Sequence, residues 1–460
     1  MSTDKTKSFS FTVPRAYSVK RIIGKGTYGV VCEATNVKTK DIFAIKKITG
    51  AFEHTLDAKR AVREVRILSR ASHTNVLNCK DIFKPSSFSN WTDLYFSSEL
   101  MDSDLHKVLS SSQPLTDDHR RFFLYQAVCG LRYLHSAGII HRDLKPSNFL
   151  VNRNCDLKIT DLGLVTNRPS TLDDDQTLYV QTRWYRAPEL LLGNTSYDAS
   201  VDIWSLGCVM IELFFRKPVF TGSNYVSQLH KYFSVLPLPT DSEMKLVEKK
   251  KALEFLRTLP HPKHNLKSFF SQHRVGVTPD ALDLLSAMLQ FDPAKRITID
   301  SILAHPYLAP YRGTGDESLH TSPEPLLELS YEPYADKAAL KHIMFHEMLR
   351  FHPDAAADCG YVLPDAVRGV CEIANPGICK RLQAKADHTQ SFRMKKSENQ
   401  KSNLVSLAPS PVPANFPPDS VESKYSLAAS RVCESRKVSV SPPRSSSSPL
   451  NEVSRASSPN

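Results

Sequence analysis

The sequence predicts an α+β protein, with a small β-rich part followed by a larger helical part. Three observations carry that expectation. Over residues 17–99 the chain is mostly short apolar runs, among them YSVKRII, GVVCEAT, DIFAIKKI and DLYFSSEL; runs of this kind read as strands. Over residues 105–308 the pattern turns largely helical, and FFLYQAVCGLRYLHSAG is an amphipathic helix ended by Gly138. Of the 460 residues 41% are apolar and 23% charged, so a sizeable core can be buried.

Taken in order, residues 1–16 form a polar lead. The first part opens on GKGTYG, residues 24–29. A lone G-x-G-x-x-G is weak evidence, because it also opens dinucleotide-binding folds by leading from a strand into a helix. Here the β-branched Val30 and Val31 follow, so the loop joins two strands. It reads either as an ordinary glycine hairpin or as a flap over nucleotide phosphates. Lys46 sits some fifteen residues on, inside the apolar run FAIKKI. A buried lysine needs a partner. Glu64 can supply it from the helical run DAKRAVREVRILSRA, whose Ala61, Val65 and Leu68 fall at i, i+4 and i+7; the alternative is a solvated helical glutamate.

The helical part carries IIHRDLKPSNFLV, the most specific string in the chain. Asp143 can accept the proton of a substrate hydroxyl, Lys145 can neutralise a transferring phosphoryl group, and Asn148 can hold a divalent metal. LKITDLGLV then places Asp161 between a strand and a glycine, where a carboxylate suits a metal bridging phosphate oxygens. SVDIWSLGCVMIELFF is apolar nearly all round and reads as a buried helix.

The net charge of +11 fits basic tails and a phosphate-handling cleft. Nucleic-acid binding lacks interleaved aromatics. The nine cysteines include no C-x-x-C pair, which favours reduced thiols over a disulfide frame or zinc site. Cys359, Cys371 and Cys379 read as free surface thiols. MSTDKTKSFSF lacks a signal-peptide core, and no run of about 18 apolar residues suggests a membrane span. Residues 354–460 read as a mostly disordered, basic, Ser/Pro-rich tail.

With these motifs in hand, residues 17–308 resemble a eukaryotic protein kinase, which implies a bilobal fold. The small lobe would span about 17–101 and the large lobe about 102–308, with ATP and Mg²⁺ in the cleft. The resemblance implies an ATP site of Ile23, Gly24, Lys25, Gly26, Thr27, Tyr28, Gly29, Val30, Val31 and Lys46. Ser98 would be a small gatekeeper opening a back pocket. Glu99 and Met101 would meet adenine, and Asp104 the ribose. The string TLYVQTRWYRAPE, residues 177–189, resembles the T-x-Y activation segment of mitogen-activated protein (MAP) kinases. So do HRDLKPSN with Ser147, an insert at about 223–270, and AALKHIMFHEMLRFHP within a C-terminal extension, 309–353, that packs back on the kinase.

The MAP kinase resemblance implies switching by phosphorylation of Thr177 and Tyr179. Arg63 and Arg142 would receive the phosphothreonine, Arg183 and Arg186 the phosphotyrosine. The bland alternative is that Thr177 and Tyr179 are ordinary loop residues. Residues 180–186 would line a pocket preferring proline after the target Ser or Thr. Expected partners are Ser/Thr-Pro protein substrates, an upstream dual-specificity MAP kinase kinase or autophosphorylation, and phosphatases. Neither a membrane nor a specific nucleic acid is expected, and the expected location is cytoplasmic with nuclear access. Ser410, Ser441, Ser448 and Ser458 each precede proline, as autophosphorylation targets or by chance. Four departures stand out. Leu162 replaces the usual Phe, Thr166 an arginine, Leu178 the usual middle residue of T-x-Y, and Gly313 an acid of a docking patch in which Asp316 and Glu317 remain. Two other readings are a kinase-fold scaffold without turnover, which usually lacks a catalytic residue, and a cyclin-requiring relative.

Overall fold

The computed structural model describes residues 9–26, 29–166, 183–194, 197–262, 265–313, 329–385 and 436–440. Its small lobe is a five-stranded antiparallel sheet. The strands are β2 (Tyr17–Lys25), β3 (Val30–Asn36), β4 (Ile42–Ile48), β5 (Cys79–Ile82) and β6 (Leu94–Glu99), in the order β2-β3-β4-β6-β5. Burial along β3 alternates, with Val30, Cys32 and Ala34 inside, so one face is packed and the other is not. A preceding strand, β1 (Phe9–Val13), pairs antiparallel with β10 (Arg436–Val440). One helix crosses the lobe, α1 (Thr55–Arg70), burying Ala58, Ala61, Val62, Val65 and Leu68.

Below the sheet the chain is helical. Helix α2 (Leu105–Ser110) is capped by the Asp104 side chain, which accepts from the Lys107 amide. Helix α3 (Asp117–Ser136) starts at Thr116 with a reciprocal cap from His119. It is followed by Gly138 at φ +75°, a left-handed conformation that favours glycine. The helix Ser200–Phe215 is buried at every position from Val201 to Phe214. A small sheet lies at the top of this lobe. Its strands β7 (Ser103–Asp104), β8 (Phe149–Val151) and β9 (Leu157–Ile159) carry the loops that face the first lobe. No helix among the described residues is long and apolar enough to cross a membrane.

The C-terminal region departs from expectation. Residues 354–385, expected to begin a disordered tail, are largely helical: Ala355–Asp358, Asp365–Ala374 and 376–385. They pack on the helix Lys337–Met348 and through it on α1. The expected surface thiols Cys359, Cys371 and Cys379 are all buried in this layer. The Tyr361 ring stacks on Phe345 at 4.2 Å between centroids, and its hydroxyl meets His342 Nδ1 at 3.1 Å and His346 Nε2 at 2.8 Å. Pro353, Pro364 and Pro376 cut the stretch into helices too short to show a clear period in sequence.

Burial holds both imidazoles neutral, with pKa values lowered to about 4. An unfolded histidine titrates near 6.5. Between these values the unfolded chain binds more protons than the folded one, so stability falls as pH drops from about 6.5 to about 4. Thermal melting across this window should show that decline, and His346→Gln should flatten it.

Candidate active site

The Gly-rich loop is the turn of the β2–β3 hairpin. Gly24 pairs with Val31 and Lys25 with Val30, and the Gly26 amide donates to the Gly29 carbonyl at 2.9 Å. The loop leads into a strand, which excludes the strand-to-helix geometry of dinucleotide folds. A Cβ on Gly29 would stand 2.5 Å from the Lys47 carbonyl oxygen, so only glycine lets the hairpin lie this close to β4. Ile23 lies in β2, and Val30 and Val31 in β3; Thr27 and Tyr28 fall outside the described residues.

On β4, Lys46 reaches Glu64 of α1, with Nζ 2.5 Å from Oε1. Burial alone would lower the lysine pKa, but the carboxylates of Glu64 and Asp161 outweigh it and the net shift is upward. Lys46 therefore stays an ammonium. A cavity of about 420 Å³ opens here, with Gly26, Gly29, Lys46, Glu64 and Asp161 in its wall. Ser98, Glu99, Met101 and Asp104 do not line this cavity. The β4–β6 register pairs Lys46 with Phe96 and Ala44 with Ser98, which sets them farther along the sheet. Ser98 is buried. Glu99 is tied to Lys158 at 3.0 Å and Asp104 to Lys107 at 2.9 Å.

The loop after α3 is held from beneath by Asp202, an acid in the buried helix Ser200–Phe215. Its carboxylate accepts from the amides of His141 and Arg142 at 2.8 and 2.9 Å and meets His135 Nε2 at 2.9 Å. Burial would raise its pKa, but these partners outweigh burial and the net shift is downward. Arg142 turns through φ +64°, which carries Asp143 to the cleft. Lys145 Nζ lies 2.6 Å from Asp143 Oδ2. The Asn148 amide donates to the Asp143 carbonyl at 2.8 Å and to Oδ2 at 3.2 Å. Burial raises the Asp143 pKa, opposed by Lys145, which suits a proton acceptor. Asp161 stands in the left-handed region at φ +62°, and Leu162 beside it is fully buried.

Asp161 and the Asn148 amide offer hard oxygen ligands in small number. That donor set fits a metal completed by phosphates and water. No cluster of three or more His, Cys, Asp or Glu that could hold a metal exists among the described residues.

The four arginines differ. Arg142 donates through Nε to the Leu164 carbonyl at 2.7 Å and through Nη1 to the Tyr197 hydroxyl at 2.7 Å, and its buried Nη2 has no hydrogen-bond partner among the described residues. Arg183 Nη1 donates to the Ser223 carbonyl at 2.8 Å, and its Nε has no partner among the described residues. Arg186 is buried, and its Nε and Nη2 likewise have none among the described residues. Unsatisfied guanidinium donors suit an anion. Arg63 is not an open socket, contrary to expectation. Its Nε and Nη2 reach Glu332 at 2.6 and 2.5 Å. Thr166 is buried and joined to Ile140 through the backbone, and it brings no charge. Thr177, Tyr179, Asp316 and Glu317 fall outside the described residues.

Beyond the site, the Trp184 carbonyl accepts from Gln228 Nε2 at 3.2 Å and the Tyr232 hydroxyl at 3.1 Å. The Tyr232 hydroxyl also meets the Arg186 carbonyl at 2.8 Å. The chain's own donors thus already engage these carbonyls.

Residues 17–308 match the protein kinase domain family. The chain is 45% identical over 347 residues to mitogen-activated protein kinase homolog MMK2 of Medicago sativa, covering 75% of this chain and 91% of that protein. It is 46% identical over 346 residues to mitogen-activated protein kinase 4 of Arabidopsis thaliana, covering 75% and 90%. The chain belongs to the MAP kinases. Extracellular signal-regulated kinase 1 of Dictyostelium discoideum is 43% identical over 348 residues, covering 75% of this chain and 64% of that protein. As a MAP kinase it is a protein Ser/Thr kinase that uses ATP and a divalent metal, acts on protein substrates and is regulated by upstream kinases.

Sequence reasoning missed Asp202, Tyr197 and Glu332. An acid inside a helix that is apolar nearly all round was a signal for Asp202, as for Glu212 on the same helix, since buried carboxylates need partners. Glu332 lies 269 residues from Arg63 and gave none.

The raised pKa of Asp143 sets a testable pH dependence. Activity through this base should fall as pH drops through its pKa, so the acid limb of kcat/KM should lie above the ordinary aspartate range. Lys145→Met removes the chief influence holding that pKa down. It should lower kcat by about 10²-fold or more and move the acid limb to higher pH, both read from a pH–rate profile.

Proposed function

We propose that the chain transfers the γ-phosphoryl group of Mg²⁺-bound ATP to serine or threonine followed by proline. The observation that carries this reading is the meeting of Lys46–Glu64, Asp143–Lys145–Asn148 and Asp161 in one cleft. Lys46 grips phosphate oxygens, held in place by Glu64. Asp143 takes the hydroxyl proton and Lys145 neutralises the transferring group. Asn148 and Asp161 would hold Mg²⁺, which would supply neutralising charge to the phosphates. The Gly-rich loop covers the phosphates, and the residues from Ser98 to Asp104, outside the phosphate cavity and farther along the sheet, meet the adenine and ribose.

The proline preference is supported by the engaged carbonyls of Trp184 and Arg186. Where these carbonyls are already engaged, an ordinary residue's N–H finds no acceptor in them, whereas proline has none to satisfy. Phosphorylation of Thr177 and Tyr179 raises activity, by an upstream dual-specificity kinase or by autophosphorylation, and phosphatases reverse it. The guanidinium donors of Arg142, Arg183 and Arg186 that have no partner among the described residues support that reading. The residues Asp316 and Glu317 serve docking of basic partner motifs, weakened by Gly313. The enzyme works in the cytoplasm with access to the nucleus.

The test is phosphate transfer with Mg²⁺-ATP to two peptides that differ only in Ser-Pro against Ser-Ala. The Ser-Pro peptide should win by about tenfold or more in kcat/KM, the scale of one unsatisfied polar group. Asp143→Ala should abolish transfer. Equal use of the two peptides would refute the proline preference, and transfer undiminished by Asp143→Ala would refute the assigned base.

A further inference from the structure

We propose that the outer edge of β1 is a strand-docking site and that the chain's own tail is its ligand: residues 436–440 add to β1 in cis as an extra strand and can be displaced by an extended peptide of the same kind.

The inner edge of β1 is engaged by the small lobe. The Thr12 amide donates to the Tyr95 hydroxyl at 3.3 Å, and the Ser10 carbonyl accepts from Lys47 Nζ at 3.1 Å. Lys47 is itself fixed by Asp93 at 2.9 Å. Phe11 and Val13 are 0% and 1% exposed and pack in one cluster with Cys32, Ile45 and Phe83. One edge and two buried side chains thus hold β1 on the lobe. Along a strand, the N–H and C=O groups of successive residues point to opposite edges. Because those of Ser10 and Thr12 point inward, those of Phe9, Phe11 and Val13 point outward. A row of outward donors and acceptors is a template for another strand.

The register of the tail matches that row. Phe9 pairs with Val440, Phe11 with Val438 and Val13 with Arg436. The pairs Ser10–Ser439 and Thr12–Lys437 fall between them, at the non-hydrogen-bonded positions of the ladder. The tail sequence suits the role. Val438 and Val440 are β-branched and alternate, which favours a strand. Pro442 and Pro443 follow, and proline cannot donate to a ladder. Main-chain bonds supply the affinity in strand addition. Residues 386–435 are long enough to allow it, since that many residues reach up to about 170 Å when extended. The connection also makes docking intramolecular, at an effective concentration up to about millimolar. Five pairs on two strands form only a marginal ladder, so the tether decides occupancy and free peptide in excess can compete.

The experiment uses the full chain, with hydrogen exchange read at single amides. Val438→Pro deletes the donor opposite Phe11 and does not fit the ladder. It should speed exchange of the Phe9, Phe11 and Val13 amides about tenfold or more. The Thr12 amide, bonded to Tyr95, should change less than about twofold. Val438→Thr keeps both the N–H and the β-branch and should exchange like wild type. Equal exchange at Phe11 in wild type and Val438→Pro would overturn the proposal, because no strand would then be docked. Protection at Phe11 that rises with protein concentration would overturn the cis occupant, since the tail of a second copy would be filling the edge. A second measurement titrates a labelled synthetic peptide of residues 434–442 against both chains. The Val438→Pro chain, with its edge open, should bind at least about tenfold more tightly than wild type, whose own tail competes. Equal affinity for the two chains would overturn the shared site, and failure of millimolar peptide to saturate the Val438→Pro chain would overturn the docking edge itself.

Discussion

The ion pair between Lys46 and Glu64 is the contact on which the site depends. Lys46 comes from a strand and Glu64 from a helix, and no covalent feature near either holds them together. The pair spans 2.5 Å at the inner end of the cleft, with the Glu64 side chain 7% exposed and that of Lys46 23%. Two opposite charges in such a place attract strongly, but Glu64 has lost most of its hydration and Lys46 part of it, so the pair survives only with good geometry. In the proposed reaction its job is directional. It aims an ammonium into the cavity where Gly26, Gly29 and Asp161 converge, and it joins α1 to that cavity. The burial of α1 through Ala58, Val62 and Val65 supplies adhesion without direction, because apolar contact is non-directional. Charged partners meet the helix on both sides, Lys46 at Glu64 and Glu332 at Arg63, and such contacts are directional.

The same division of labour recurs in the large lobe. The helix Ser200–Phe215 gives the core its bulk, yet one acid on it, Asp202, organises the loop that carries Asp143. It accepts two consecutive backbone amides from the loop, and hydrogen bonds keep it ionised against the cost of burial. Glu189 and Arg296 form a second buried pair, with both guanidinium nitrogens bonded at 2.6 and 2.7 Å, and anchor the residues after Arg186. Buried charges therefore mark the joints of this enzyme, while apolar side chains fill the space between them.

Much of this was legible in the chain. The strand runs and the helical periods gave the α+β class and two lobes, because each element buries one face or, in the Ser200–Phe215 helix, all of it. Lys46, Asp143, Lys145, Asn148 and Asp161 stood out because charged residues in apolar or glycine-flanked settings need a reason to be there, and the structure gathers them in one cleft. Glu64 was less visible, since a helical glutamate is usually solvated. The packed helices of residues 354–385 were hidden by three prolines and a shift in composition. The partner of Arg63 was hidden by sequence distance: nothing within the 269 residues separating it from Glu332 signals the pair. Local pattern reveals which groups need partners, and the fold decides which partners they find.

The most direct test of the account is a double-mutant cycle on Lys46 and Glu64, read as kcat/KM for ATP. Lys46→Met and Glu64→Gln should each lower kcat/KM by about 10²-fold. If Glu64 acts only by aiming Lys46, the double variant should be no worse than the weaker of the two single variants. If the two losses multiply instead, the residues act independently, and the ion pair is not the contact on which the site depends.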